Sequence, residues 1–380
     1  MIAPGSWLGV IGGGQLGRMF AHAAQRMGYR VAVLDPDPNC PAGAVADRHF
    51  ITPYDDPAGL REVARLCAAV TIEFENVPVA GLRELAAHCN VAPSAECVAI
   101  AQDRAREKRF LMQCGLRVAD HAVITCAADL ESDATRHLLP GILKASRLGY
   151  DGKGQARVND SGQLRATFAA MGGVKCVLEK LMPIEREISV VTVRSDRETV
   201  CYPATENVHR DGILETSILP ARIAPNTERH AGEIAMVVAQ RLNYQGVLCV
   251  EFFVLKTGEL VINEIAPRPH NSGHLTIEAS MTSQFEQQVR VMCGMPLGDP
   301  GMRCPAVMLN LLGDAWCDGV PDWQSIVADS RTKLHLYGKH EPRAGRKMGH
   351  ITCLDDSLAA ALARAFRIKE LIARRLVAVA

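Results

Sequence analysis

Two apolar runs, VLCVEFFVL and LVINEIA, flank Lys256-Thr257-Gly258-Glu259. Runs of this kind joined by a short glycine-containing turn define an antiparallel hairpin. With Thr257-Gly258 as the two loop residues, Lys256 faces Glu259, and Glu251 falls opposite Glu264. Directly opposed side chains have Cβ atoms about 4.5–5.5 Å apart. Two carboxylates so placed among Val, Cys and Phe repel one another, and unpaired buried carboxylates are rare. A divalent cation between them resolves the conflict. Oxygen ligands alone suit Mg²⁺, which joins one or two carboxylates to nucleotide phosphates. The alternative is a solvated sheet face with each glutamate paired to a Lys or Arg.

A second stretch, LKASRLGYDGKGQ, sets Lys144 on a strand and Gly149, Gly152 and Gly154 in the loop after it. Glycines let backbone N–H groups close on phosphate oxygens, and Lys144 and Lys153 add charge. G-x-x-x-x-G-K-[ST] is absent, so this is not a P-loop. Read alone, the loop serves equally as a hairpin turn; beside a Mg²⁺ site it reads as a phosphate loop. A third stretch, VIGGGQLGRM, places G-x-G-x-x-G at Gly12, Gly14 and Gly17, with Asp35 closing the next apolar run. That is the outline of a dinucleotide site, in which donors at a helix N-terminus hold phosphate.

Around these motifs the chain divides in three. Residues 1–100 alternate strands (WLGVIG, RVAVLD, AVTIEF) with helices (LGRMFAHAAQRMG, ended by Gly28, and VPVAGLRELAAHC). This is the pattern of a parallel, Rossmann-like α/β domain. One helix is expected over ECVAIAQDRAREKRFLMQCG, closed by Gly115, with a domain boundary just before or within it. Residues 101–295 read as α+β, with long antiparallel strands in their second half. Residues 296–380 read as a small C-terminal domain with strands near AVMLNLLG, KLHLYG and HITCL and a helix from Asp356. Lys+Arg and Asp+Glu both number 42, so no excess of positive charge marks a nucleic-acid partner. The 13 cysteines include no C-x-x-C; without a signal-like N-terminus they read as reduced thiols of a cytoplasmic protein. No apolar run is long enough for a membrane span.

Three further stretches make the pattern specific: TIEFENVP (Thr71 to Pro78), NEIAPRPHNSGH (Asn263 to His274) and GRKMGH (Gly345 to His350). With IGGGQLGRM and GYDGKGQ, the chain closely resembles the N5-carboxyaminoimidazole ribonucleotide synthetase family of ATP-grasp ligases. The likeness covers nearly the whole chain, with the motifs in family order. Leu275 stands where the family usually has Trp, Gln288 where His is frequent, and Ala344 where Pro is usual. None of these departures removes a charged group expected to do chemistry.

The resemblance implies an ATP-grasp fold behind a pre-ATP-grasp domain, with ATP and Mg²⁺ as cofactors and a homodimeric assembly. The implied reaction is carboxylation of 5-aminoimidazole ribonucleotide by bicarbonate through carboxyphosphate, in purine biosynthesis. By the same resemblance Arg104 and Lys144 contact ATP phosphates, and Gly149, Tyr150, Asp151, Gly152, Lys153, Gly154 and Gln155 form the loop that closes over them. Glu179, Lys180, Leu181 and Met182 offer backbone groups to adenine, Glu187 holds the ribose, and His209 lies near the nucleotide. Glu251 and Glu264 match the metal ligands, in agreement with the hairpin, and Asn263 belongs to the same motif.

Gly14, Gln15 and Leu16 then meet the phosphate of the aminoimidazole ribonucleotide in place of a dinucleotide, and Asp35 falls to a turn role in DPDPN. Glu73, Tyr150, Lys153, Asn271 and Ser272 belong to the same substrate's site, with Arg346 and Lys347 on its phosphate. Arg268, His270 and Lys153 are the catalytic candidates. Arg268 can grip planar bicarbonate by two hydrogen bonds, and His270 can orient it or take the amine proton.

Three readings compete. A nicotinamide oxidoreductase built on the first glycine loop leaves the paired glutamates and GYDGKGQ unexplained. A different ATP-grasp ligase leaves EFENVP, APRPHNSGH and GRKMGH unexplained. A non-catalytic nucleotide binder on the same scaffold has no need of Lys144, Glu251, Glu264 and Arg268 together.

Overall fold

The computed structural model describes residues 1–149, 152–317 and 319–377. The first domain is a five-stranded parallel sheet in the spatial order Arg48–Phe50, Arg30–Leu34, Trp7–Ile11, Ala69–Ile72, Asn90–Val91. Leu8 to Ile11 and Ala69 to Ile72 are buried throughout, as central strands covered on both faces must be. The helix Gln15–Arg26 turns Leu16, Met19, Phe20 and Ala24 to the core. Gly28, at φ +84°, supplies the left-handed residue that ends it.

The single helix expected across residues 96–115 is two helices, Ala95–Ala101 and Arg104–Gln113. Asp103 between them is extended and accepts from the N–H groups of Ala105 and Arg106. A carboxylate that caps a new helix offers the backbone an alternative to continuing the old one. The break lies at the end of the first domain. It starts a helix whose buried face carries Glu107 and Lys108 beside Leu111.

Two antiparallel sheets follow. The smaller has the order His121–Ile124, Cys176–Lys180, Gly141–Ala145, Gln155–Val158. The larger runs Leu260–Ala266, Gly246–Leu255, Ile184–Arg194, Thr205–Arg210, Ile213–Leu219, Ala306–Leu312, Lys347–Leu354, Thr332–Leu336, with Thr199–Cys201 on Ile184–Arg194. The strands after residue 296 therefore make no sheet of their own. Ala306–Leu312 pairs with Ile213–Leu219 and extends the larger sheet, and the helix Leu358–Val377 packs on that extension. Among the described residues no helix is long and apolar enough to cross a membrane.

The glutamate hairpin differs from the expected one in a useful way. Leu255 N donates to Glu259 O at 2.9 Å and Gly258 N to Leu255 O at 2.8 Å. The loop is thus three residues, Lys256-Thr257-Gly258, with Gly258 at φ +84° in the position such loops require. Val254 faces Leu260 and Phe252 faces Ile262, one residue out of the two-residue register. A bulge at Asn263 restores it, and Glu251 faces Glu264 as expected. Strict alternation sends Asn263 and Glu264 to opposite faces. The bulge turns both into one cleft.

The three family departures are accommodated. Leu275 is fully buried among Leu214, Leu219 and Met308. Gln288 is buried and fully bonded, and Ala344 lies exposed in a turn.

Candidate active site

A cleft of about 650 Å³ lies between the two antiparallel sheets and reaches the glycine loop of the first domain. That is room for a nucleotide and a small substrate. Its walls bring together Gln15, Leu16, Glu73, Arg104, Lys144, Gly149, Gly152, Lys153, Gln155, Glu187, His209, Glu251, Asn263, Glu264, Arg268, His270, Asn271 and Lys347. These come from all three segments of the chain.

One wall is a network of alternating charge. Arg104 Nη1 meets Glu264 Oε2 at 2.5 Å. Lys144 Nζ meets Glu179 Oε2 at 2.9 Å and Asn263 Oδ1 at 3.3 Å. Lys108 Nζ meets the other oxygen of Glu179 at 2.9 Å. Burial opposes ionisation of Glu179, yet Lys144 and Lys108 outweigh it and hold its pKa at about 2. Arg104 and Lys144 do the same for Glu264, also at about 2. Glu107 accepts from the N–H of Ile265 and, by burial and the nearby Glu264, is pushed up to about 8.

The fully buried Lys108–Glu179 pair yields a stability prediction. Lys108→Met is expected to destabilise the fold by about 3 kcal/mol near neutral pH, because a buried charge loses a partner. Glu179 titrates below its ordinary value in the folded state. Its contribution is therefore present above about pH 4.5 and lost as pH falls towards 2. Denaturant unfolding at pH 7 and pH 3 should show the gap between wild type and variant shrinking on acidification.

The opposite end of the cleft holds His270 and Arg268. His270 Nε2 lies 3.1 Å from Glu251 Oε1, and its Nδ1 lies 2.9 Å from Ser272 Oγ. Burial works against a charged imidazole, but Cys249 and Glu251 outweigh it and raise the pKa to about 10. Ser272 is fully buried and shares a hydrogen bond with Ser189. Arg268 Nε donates to Glu75 Oε2 at 2.5 Å, which joins the loop after the glutamate strand to the first domain. Asn271 lines the cleft, and its buried amide atoms have no hydrogen-bond partner among the described residues.

At the first glycine loop, two carboxylates already occupy backbone donors. Glu73 Oε2 accepts from Gly17 N at 2.8 Å, and Asp35 Oδ2 from Gly13 N at 2.7 Å. Burial raises the Glu73 pKa to about 7. Asp35 also accepts from Tyr54 Oη and from Asp37 N, the latter within its own turn. Cys40 Sγ would lie 2.3 Å from a Cβ at Gly13, so the turn after Asp35 packs directly on the glycine loop. Lys339 Nζ reaches Gln15 Oε1 at 2.6 Å and the carbonyl of Lys347 at 2.7 Å.

Several expected residues lie elsewhere. Tyr150 and Asp151 are outside the described residues. Gly14, Gly154 and Ser272 do not line the cleft: Ser272 is fully buried, Gly14 is half-buried and Gly154 is exposed. Arg346 points its guanidinium at the Glu341 carbonyl on an exposed turn, so the turn conformation takes it away from the cleft. Glu179, Lys180, Leu181 and Met182 do not line the cleft. The N–H groups of Lys180 and Leu181 are already bonded to Asp120 O and Pro140 O, and the Met182 carbonyl accepts from Ile184 N. Glu187 and His209 do meet, at 2.8 Å. Sequence reasoning missed Glu75, Glu107, Lys108 and Lys339. For Glu107 and Lys108 the available signal is their place on the same helical stripe as Leu111, and for Glu75 it is the TIEFENVP stretch that contains it; Lys339 carries none.

Comparison with known proteins agrees with this geometry. The ATP-grasp domain family matches residues 109–285, the ribonucleotide synthetase preATP-grasp domain residues 6–102, and the phosphoribosylaminoimidazole carboxylase C-terminal domain residues 306–364. The fold and cleft are those of an ATP-grasp ligase. An N5-carboxyaminoimidazole ribonucleotide synthase of Brucella melitensis is 45% identical, covering 92% of this chain and 97% of its own. The ADP complex of an N5-carboxyaminoimidazole ribonucleotide synthetase superposes with a TM-score of 0.93 at 39% identity, covering 99% of both chains. The Aspergillus clavatus enzyme, solved with ADP and 5-aminoimidazole ribonucleotide, gives 0.89 at 31% identity, covering 97% of this chain and 99% of that one. The chain belongs to the N5-carboxyaminoimidazole ribonucleotide synthase family.

Proposed function

We propose that this chain carboxylates 5-aminoimidazole ribonucleotide with bicarbonate, using ATP and releasing ADP and phosphate. One observation carries the reading. A single cleft joins phosphate-binding cations (Arg104, Lys144), facing carboxylates (Glu251, Glu264), a fixed arginine (Arg268) and the N-terminus of the glycine-loop helix. The relatives named above supply the substrate class.

A bicarbonate oxygen attacks the γ-phosphorus, the bond to the bridging oxygen breaks, and ADP leaves with its electron pair. Phosphoryl transfer needs alignment and charge neutralisation, which Arg104 and Lys144 supply from this chain. The exocyclic amine then attacks the carboxyl carbon of carboxyphosphate; phosphate departs and the amine loses a proton. Arg268 grips bicarbonate through the part of its fork that Glu75 leaves open. His270 Nε2 is held by Glu251 and Nδ1 by Ser272, so the ring orients the same anion, or takes the amine proton, once Nε2 exchanges its Glu251 contact. Glu187 takes the ribose, and Gln15, Leu16, Lys339 and Lys347 surround the phosphate of the ribonucleotide. Lys153, with the loop from Gly149 to Gln155, covers the site against water.

The donor set fits Mg²⁺. Glu251, Glu264 and the Asn263 oxygen line one wall. Among the described residues no three His, Cys, Asp or Glu side chains converge on one point, so phosphates and water would complete the shell. When bound, the ion neutralises and aligns the ATP phosphates. A cytoplasmic homodimer is the assembly this reading takes from the family resemblance.

The test is ADP formation from Mg²⁺-ATP and bicarbonate, with and without aminoimidazole ribonucleotide. Turnover that rises strongly with the ribonucleotide is expected. Turnover indifferent to it sinks the substrate assignment and leaves only an ATP-grasp scaffold.

A further inference from the structure

We infer that Gln284 is a positioning residue for the bicarbonate end of the site, its side-chain amide clamping the His270 peptide and so fixing where the imidazole stands. The inference rests on the reading of His270 given above. The helix Gln284–Met292 carries three glutamines, Gln284, Gln287 and Gln288, none more than 1% exposed. Burying an amide is costly unless its donor and acceptor are both satisfied.

All three are satisfied, and in a pattern. Gln284 Oε1 accepts from His270 N at 2.9 Å while its Nε2 donates to His270 O at 2.7 Å. Gln287 treats Gly298 identically: Oε1 accepts from Gly298 N at 2.9 Å and Nε2 donates to Gly298 O at 2.7 Å. Gln288 Oε1 accepts from Val247 N at 2.7 Å, and its Nε2 donates to Thr71 Oγ1 at 3.0 Å. One short helix thus rivets the His270 loop, the start of the C-terminal segment, a strand of the large sheet and the first domain. A carboxamide offers donor and acceptor in one plane, so it pairs with both polar groups of one residue as a neighbouring strand does.

The loop is built around this clamp. A Cβ at Gly273 would lie 2.6 Å from Gln284 Oε1, so the chain passes the amide at glycine distance. Thr276 Oγ1 accepts from Gln284 N at 3.0 Å, which closes the turn on the helix start. The His270 ring has its own contacts, but Glu251 is shared with the nucleotide side of the cleft. The amide holds the peptide whichever partner the ring has. Small displacements of an orienting group are expensive: a shift of about 1 Å costs roughly 10²-fold in rate.

Gln287 makes the test sharp, because it is the same side chain, equally buried, with the same pair of bonds to a peptide outside the site; Gln284 Nε2 in addition lies 3.3 Å from His274 Nδ1. Gln284→Met and Gln287→Met are compared with wild type for thermal unfolding, KM for ATP, kcat, and carboxylated ribonucleotide formed per ADP. Both variants should lose similar stability. Gln284→Met should lose about 10²-fold in kcat, with KM for ATP unchanged and less product per ADP; Gln287→Met should stay within about threefold. Equal turnover in the two variants overturns the inference. If Gln284→Met does not fold, Gln284→Glu and Gln287→Glu replace the pair. A protonated carboxyl keeps both bonds and an ionised one repels the carbonyl, so kcat of Gln284→Glu relative to wild type should fall as pH rises. A flat ratio, or an equal fall in Gln287→Glu, overturns it. His270→Ala is assayed in parallel. Full turnover in His270→Ala defeats the reading of His270 itself, whereas loss there with normal turnover in Gln284→Met defeats the clamp alone.

Discussion

Replacing His270 with alanine is expected to lower carboxylation turnover by about 10²–10⁴-fold, with the KM for ATP nearly unchanged. The ring sits between Glu251 and Ser272 at hydrogen-bond distance, and its side chain is only 14% exposed. It is therefore held in one orientation at the bicarbonate end of the cleft, next to Arg268, rather than sampling solvent. Alanine removes the donor and leaves Glu251 without its partner, while Arg104, Lys144 and Glu187 on the nucleotide side stay as they are. A loss confined to kcat is the signature of a group that acts on the reacting centre. Steady-state kinetics at saturating ATP measure it. Undiminished turnover would remove His270 from the chemistry and leave it a loop-capping residue.

Glu264→Gln should reduce ATP cleavage by about 10²–10³-fold, the usual consequence of removing one charge-stabilising group from a preorganised site. Glu264 faces Glu251 across the hairpin and holds Arg104 at 2.5 Å. Arg104 and Lys144 outweigh burial and keep its carboxyl ionised down to about pH 2, so it is a full negative charge under all working conditions. The amide keeps the shape and loses the charge. Arg104 then lies in the cleft wall without its counter-ion, and the carboxylate pair is halved. The dependence of ADP formation on Mg²⁺ concentration should shift to higher values in the same variant. Glu259→Gln, at the exposed tip of the same hairpin, should leave both quantities unchanged. Equal effects from the two substitutions would place the role of Glu264 in hairpin stability alone.

The glutamate pairing was legible because a turn and two apolar runs constrain each other locally. The loop length was not, since Lys256 enters a three-residue loop as readily as it closes a two-residue one. The two errors cancelled at Asn263, where the bulge added the residue that the longer loop had removed. The Gln102-Asp103 break was misread for a related reason: the apolar and charged pattern of residues 96–115 runs on through it. Only the Asp103 carboxylate, bound to Ala105, Arg106, Ser146 and Lys175, shows why the helix restarts there.

Taken alone, the sequence determined what neighbouring residues can decide. It set the parallel first domain, the hairpin that opposes Glu251 to Glu264, the glycine loops, and the motif set that marks the family. The tertiary structure decided the partners of each charge. Arg104 meets Glu264 across 160 residues, Arg268 meets Glu75 across 193, and Lys339 meets Gln15 across 324. It also turned Arg346 away from the cleft and closed Gln284 on His270. Backbone propensity and side-chain periodicity act over a few residues, whereas these pairings depend on how sheets from distant segments pack and on which buried charges must then be neutralised.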